Sequence, residues 1–482
     1  MTLSDILSGG DSFFLTRLLL QRGLALVYLI GFLVALQQFI PLLGEKGLTP
    51  VPPFLQRARF MDSPSLFFFH YSDVFARIIF LCGTGLSLFA LTGFSERFGI
   101  GVSVATWALL WLFYLSIVNV GQTWYSFGWE TMLCEAGFLA IFLGSRDVPP
   151  PVIVIWCFRW MFFRTVLGAG LIKMRGDSCW RDLTCLHYHY QTQPIPSPLS
   201  WFFHWSPEWT KKTGVFLTHV IQLGTPWGYL VPLPIVSGIA GGLSILHQVL
   251  IALSGNLSFL NLLTIVIGLS TLGDRILNQP FQMPIPTLHA LPAFTIATYL
   301  LGGLVLILSV SPIRNMISSN QAMNTSFEPL HLVNSYGAFG SITRERYEII
   351  LEGTEDAVLT PRTVWKEYEF KAKPGDPARA PPILAPWHLR LDWLMWFAAM
   401  GSPRYYPWIF PFIEHLLQND PQTRSLISKN PFPDHVPRFI RAELYPYRFS
   451  SAAEWKETGK WWIRGTPVEY LPPLSLTDLQ YK

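Results

Sequence analysis

TGVFLTHVIQLGTPWGYLVPLPIVSGIAGGLSILHQVLIALSGNLSFLNLLTIVIGLSTLG, residues 213–273, runs for 61 positions without an Asp, Glu, Lys or Arg. A bilayer crossing takes about 20 apolar residues, so the stretch has the length of about three crossings. Pro226, Pro232 and Pro234 break it once, and Ser254-Gly255-Asn256 breaks it again. This uncharged run decides the solvent in which most of the chain lives.

The surrounding sequence agrees. The 482 residues are 50% hydrophobic and 14% charged, with a mean hydropathy of +0.33, which is outside ordinary soluble composition. Further apolar runs cover 23–44, 78–95, 98–129 and 276–313, with a crossing expected near 290–310 in the last. Two less regular helices are expected at 124–144 and 151–173, carrying Glu130, Glu135, Arg159, Arg164 and Lys173. The total is about nine crossings. Residues 1–314 hold 17 Lys+Arg against 13 Asp+Glu, whereas 315–482 hold 18 of each. No basic run exists, which excludes a nucleic-acid footprint. The expected fold is a polytopic α-helical membrane protein: a multi-span region at 1–314, with a polar loop at 174–212, and a soluble α+β, strand-rich domain at 315–482.

Basic residues near the span ends set the orientation. Arg17, Arg22, Arg97, Arg146 and Arg275 fall on one side if the N-terminus is cytoplasmic. Nine crossings then place the 174–212 loop and residues 315–482 outside the cytosol. The absence of an A-x-A-like cleavage site makes the first span an uncleaved anchor.

The polar boundary segment is GAGLIKMRGDSCWRDLTCLHYHYQTQPIP, residues 168–196. Cys179 and Cys185 there either close a small disulfide loop in an oxidising compartment or remain two thiols. A zinc site with His187 and His189 has no recognised spacing, so no metal is expected. Cys82, Cys134 and Cys157 lie in apolar runs and read as small hydrophobes. Glu130, Glu135, Arg159 and Arg164 are expected to pair inside the bundle. Lys173, at the end of its helix, either snorkels to the interface or is a partly desolvated base or substrate anchor.

In the C-terminal region, 347–352 and 365–373 read as strands, and 389–400 and 408–418 as short helices with broad apolar faces. Asn324-Thr325-Ser326 is a glycosylation sequon, and Asn256-Leu257-Ser258 is a second that sits too near the membrane to be a good acceptor. No nucleophile elbow, phosphate-binding loop, zinc-protease motif or dinucleotide fingerprint occurs.

The strings WYSFGWETMLCEAGFLAIFLG (124–144), the 168–196 segment, SGNLSFLNLLT (254–264), VNSYGAFGSITRERYEIILEGT (333–354), YEFKAKPGDP (368–377) and RLDWLMWFAAMG (390–401) closely resemble the lipase maturation factors. That resemblance implies a membrane-bound chaperone of the endoplasmic reticulum that brings homodimeric secreted lipases, such as lipoprotein lipase, to their active state. In a prokaryote the corresponding site would be the inner membrane. It further implies that the C-terminal domain holds the client lipase, with Asn334, Tyr336, Arg344, Arg346, Asp392, Trp393 and Trp396 as candidate residues. Client lipases and membrane lipids are the implied partners, and no cofactor is expected.

A more distant resemblance joins AGLIKM and its following loop to the vitamin K-dependent gamma-carboxylases, placing Lys173 at the position of their catalytic lysine. The alternative function is therefore a membrane enzyme acting on a lipid-like molecule through Lys173, with His187, His189 or Glu130. A transporter is a third reading, motivated by buried charges and broken helices.

Overall fold

The computed structural model describes residues 3–480 apart from 281, 283 and 285–287, so part of the 276–313 run lies outside the described residues. Six described helices are long and apolar enough to cross a membrane: Phe14–Leu43, Asp73–Leu91, Ile100–Val120, Val152–Arg175, Pro234–Ser254 and Pro292–Ile317. Six thus qualify by length and composition, and the expected count of about nine is not confirmed. Gly128–Ala140 has only 13 residues, and the apolar helix Leu260–Thr271 is likewise short. The helix Glu208–His219 continues as a π turn, Val220–Gly224, into Thr225–Tyr229, but is diluted by His219, Gln222 and Thr225. Counting an uncharged run by length overlooks where prolines and polar side chains interrupt it.

The two ends of the bundle are defined by hydrogen bonds. At one end, Arg17 donates to the Val148 carbonyl at 2.6 Å and Gln21 to Gly144 at 2.8 Å. Asp274 accepts there from the backbone N–H groups of Phe14 and Leu15 at 2.7 and 2.8 Å. At the other end, Thr49 accepts from Gln122 and Trp124. The C-terminal region docks at this second end, where Gln38 donates to the His388 carbonyl at 2.7 Å.

Between the ends, the first span packs through rings. Tyr28 and Phe32 both meet Tyr114 edge-on at 5.6 Å between centroids, a geometry that adds to their area burial. Gly137 lies where a side chain would collide with the hydroxyl of Tyr28, and that hydroxyl donates to the Leu133 carbonyl at 3.1 Å.

The C-terminal region is built on an antiparallel sheet. Lys366–Glu367, Arg346–Thr354 and Phe439–Phe449 lie side by side, and both Trp462–Arg464 and Val468–Leu474 pair with the far edge of Phe439–Phe449. The helices expected at 389–400 and 408–418 are Arg390–Ala398 and Ile409–Leu417, and the strand expected at 347–352 lies within Arg346–Thr354. The expected 365–373 strand is instead two pieces, Lys366–Glu367 and Glu369–Phe370, which pair with different partners. Residues 315–317 end the last apolar helix rather than begin the sheet region. One apolar core runs unbroken from the helices into this region, joining Phe127 and Trp129 to Leu391, Trp393 and Trp408.

The Tyr28 contact yields a packing test. Gly137→Val is expected to destabilise the protein by about 1–3 kcal/mol, read as a lowered thermal midpoint in detergent. Gly242→Val, where a side chain meets open space, serves as the control and should leave the midpoint nearly unchanged.

Candidate functional site at the seam

Gly168 is the residue that lets the two halves touch. A side chain there would strike the carbonyl of Tyr336, so only glycine lets the 334–340 segment lie directly on the Val152–Arg175 helix. Gln321 donates to the Gly168 carbonyl at 3.0 Å, and the Asp177 N–H donates to the Gly340 carbonyl at 2.9 Å. Segment 168–196 is therefore the edge on which the C-terminal region is seated.

Two buried carboxylates on Gly128–Ala140 anchor the seam. Glu135 pairs with Arg164 and also accepts from the Asn334 N–H at 3.0 Å, the Asn334 side-chain amide at 3.1 Å and the Tyr336 hydroxyl at 2.6 Å. Arg164 in turn donates to the Asn334 carbonyl. One turn away, Glu130 pairs with Arg390 at 2.8 Å and accepts from Tyr114 and Trp129. Arg390 lies over the Tyr125 ring at 3.4 Å and its backbone N–H donates to Gln38 at 2.9 Å.

The expected pairing among four intramembrane charges is thereby revised. Glu135 and Arg164 meet, but Glu130 finds its cation in Arg390 of the C-terminal region. Among the described residues Arg159 forms no ion pair with a carboxylate: it donates to the Ser270 carbonyl at 2.8 Å and lies over the rings of Phe13 and Trp156. Carbonyls and aromatic faces satisfy a guanidinium that has no ion-paired carboxylate.

Lys173 is buried at the end of its helix, so it does not snorkel to water. Its ammonium donates to the carbonyls of Ala169 at 3.1 Å and Ala338 at 3.0 Å and lies 5.2 Å from the centre of the Trp180 ring. Trp180 itself donates to the Phe339 carbonyl at 2.8 Å. Cys179 and Cys185 are joined, and both are buried beside Trp180, Val215 and Ile342. His187 Nδ1 lies 2.9 Å from the Thr184 carbonyl, while the His189 ring packs on Phe339. Among the described residues no group of three or more His, Cys, Asp or Glu is placed to hold a metal.

The candidate residues of the client-binding domain are mostly internal. Asn334, Tyr336, Arg346, Asp392 and Trp393 are all buried. Arg346 pairs with Glu348 and donates to the carbonyls of Gln191, Gln193 and Pro194. Asp392 accepts the N–H groups of Ala372 and Lys373 at 2.6 and 3.0 Å. Trp393 packs 5.1 Å from Trp129 between ring centres. Half-buried Trp396 donates to the Thr192 carbonyl at 2.8 Å. Only Arg344 reaches the surface, pairing with Asp177 at 2.7 Å over the Tyr188 ring; the guanidinium holds the Asp177 carboxyl below its usual range.

The sequon residues separate. Asn324 is exposed, with only its carbonyl oxygen engaged, by the Gly337 N–H at 3.3 Å. Asn256 is buried and makes four seam contacts, donating to Pro196 and Pro382 and accepting from Leu384 and Ala385. Sequence reasoning missed Gln38, Asn256 as a seam residue, and the buried Glu348–Lys373 pair. The Gln37-Gln38 pair within an apolar span was the available signal for the first of these.

These features define a polytopic helical membrane protein whose C-terminal α+β region is bonded into one end of the bundle. Residues 15–279 match the family described as lipase maturation factor transmembrane domain, and residues 332–472 match the lipase maturation factor C-terminal domain. The chain belongs to the lipase maturation factor family. It is similar to lipase maturation factor 1 of Homo sapiens, with 43% identity over 97% of this chain and 89% of that protein. The Bos taurus lipase maturation factor 1 is 41% identical over 97% and 90%, respectively. Lipase maturation factor 2 of Xenopus laevis is 29% identical over 95% and 82%. No solved structure matches the chain.

The buried pair gives a direct test. Arg390→Ala leaves Glu130 buried without its cation and is expected to cost about 3–5 kcal/mol. The measurement is thermal unfolding in detergent, where the Glu130→Gln, Arg390→Met double variant should recover part of the loss.

A second expectation concerns pH. Burial pushes the His331 imidazole down to about 4, and burial with the nearby Lys173 charge does the same for His189. The unfolded chain therefore takes up protons near 6.5 while the folded one stays neutral, so stability is complete above that pH and falls between 6.5 and 4. His331→Gln should flatten that fall in a pH series of thermal midpoints.

Proposed function

We propose that this chain is a membrane-anchored maturation factor of the endoplasmic reticulum that helps homodimeric secreted lipases of the lipoprotein lipase type fold and assemble. The observation that carries the reading is the full-length likeness to lipase maturation factor 1, which spans both the helical and the C-terminal regions. Relatives bear a name that states lipase maturation, and this chain retains both parts.

The side of the membrane follows from charge and redox chemistry. Arg17, Arg22 and Arg146 gather at one end of the bundle, where Arg22 pairs with Glu96 and a side chain at Gly93 would meet both Arg22 and Arg146. Basic ends favour the cytosol. The Cys179–Cys185 bond and the C-terminal region lie toward the opposite end, which suits an oxidising lumen. Asn324 then faces the lumenal glycosylation machinery.

Client contact falls to side chains the seam leaves outward. Val358, Val364, Ile383 and Tyr405 are exposed on the C-terminal region and present apolar surface to a partly folded lipase. The Lys173 ammonium, by contrast, is occupied by two carbonyls and an indole face.

The test is rescue. The full chain, expressed in cells that lack their own maturation factor, is expected to restore secretion of active lipoprotein lipase. It should carry a glycan removable by endoglycosidase and lost in Asn324→Gln. A correctly localised chain that leaves the lipase inactive would overturn the reading.

A further inference from the structure

The end of one span fixes a depth in the membrane. Ser200 Oγ and Gln193 Nε2 donate to the Ser254 carbonyl at 2.7 and 2.8 Å, and Ser197 Oγ donates to Leu253 at 3.0 Å. Ser254 is the last residue of the Pro234–Ser254 span, so the short helix Pro198–His204 lies at the level where that span ends.

The neighbouring helix gives the same level independently. Glu208–His219 and its continuation run antiparallel to Pro234–Ser254, with Thr218 Oγ1 3.2 Å from His247 and Thr225 Oγ1 2.7 Å from Ser244. Trp209, Phe216, Leu217, Val220 and Trp227 are exposed along it. Trp209 and Trp227 stand 18 positions apart, or about 27 Å along the axis, close to the hydrocarbon thickness of about 30 Å. Tryptophans at the two ends of an apolar stripe are the pattern of membrane–water interfaces.

The C-terminal region meets this level. Trp201 and Trp205 both donate their indole N–H to the Ser450 carbonyl, at 2.8 and 2.9 Å. Ser450 leads directly into Ala452–Thr458, whose Trp455 ring touches those of Trp201 and Trp461. Phe202 is 57%, Trp205 47%, Trp209 70% and Trp455 40% exposed, far more aromatic surface than water rewards. Lys211, which bonds the His204 carbonyl, and Lys212, paired with Glu208, border the group.

We propose that residues 198–212 and 452–461 form a ledge that lies in the phospholipid headgroup layer and seats the C-terminal region on the bilayer. The indoles bury their rings at the acyl boundary while polar edges and lysines stay among headgroups. The occupant is the lipid surface itself, held at that depth by hydrogen bonds to the end of a span.

The experiment uses the full chain in phosphatidylcholine nanodiscs containing a phospholipid with a diazirine close to its headgroup. After irradiation, digestion and mass spectrometry, adducts are expected on peptides covering 199–209 and 452–461 at a yield comparable to the Trp227 peptide. A Trp209→Ser, Trp455→Ser variant should keep the Trp227 adducts and lose at least about twofold at 452–461, because interfacial indoles set the seating. Labelling of Trp227 with none on either ledge peptide, together with hydroxyl-radical oxidation of Trp209 and Trp455, would overturn the proposal. That pattern would make the face a water-exposed surface for a protein partner. The wild-type pattern alone decides the question if the variant fails to fold.

Discussion

Glu130 and Glu135 cannot remain charged in an apolar bundle without cations, and this requirement organises the whole molecule. Moving a carboxylate out of water costs several kcal/mol even after relaxation. Arg164, from a neighbouring helix, and Arg390, from the far end of the chain, supply the compensation. Since Arg390 arrives only when the C-terminal region docks, the bundle is electrostatically incomplete until residues 260 positions downstream of Glu130 are in place. The helices and the sheet region therefore stand or fall together. The seam also carries Gln38 and Asn256, whose bonds to the 382–390 backbone would otherwise be buried polar groups without partners.

Segment 168–196 is the other half of this constraint. Gly168 admits the 334–340 backbone, Lys173 bonds Ala338, Trp180 bonds Phe339, and Asp177 holds both Gly340 and Arg344. The Cys179–Cys185 bond closes the turn that presents Trp180. In this stretch Lys173, Asp177, Trp180 and His189 each meet a backbone group, a side chain or a ring of the docked segment. Its density of ionisable groups reflects an internal boundary between two parts of one protein.

Much of the membrane class was legible because hydrophobicity is local. The uncharged 213–273 run and the spans near 23–44 and 151–173 need no knowledge of the fold to be recognised. The helices at Arg390–Ala398 and Ile409–Leu417 were also readable from their apolar faces. What stayed hidden depends on contacts between distant residues. Arg390 reads locally as a surface charge at a helix start, and only the fold brings it to Glu130. Tyr336 and Trp393 entered as client-binding candidates through the family resemblance, and both are interior. The Phe439–Phe449 strand escaped because its pattern includes Pro446 and several charges, and its pairing with Arg346–Thr354 is long-range.

A seam of this kind constrains how the protein can act on another. Opening it would expose Glu130, Glu135, Arg346 and Arg390 at once, each losing partners it cannot replace from lipid. The C-terminal region is thus a rigid platform fixed over the bundle rather than a tethered arm. What the platform leaves outward includes the loops bearing Val358, Val364 and Tyr405. Those loops are free of the network that holds the interior, so they can vary without unseating the domain. The physical division is between a buried polar seam that sets position and exposed apolar loops that the seam leaves unconstrained.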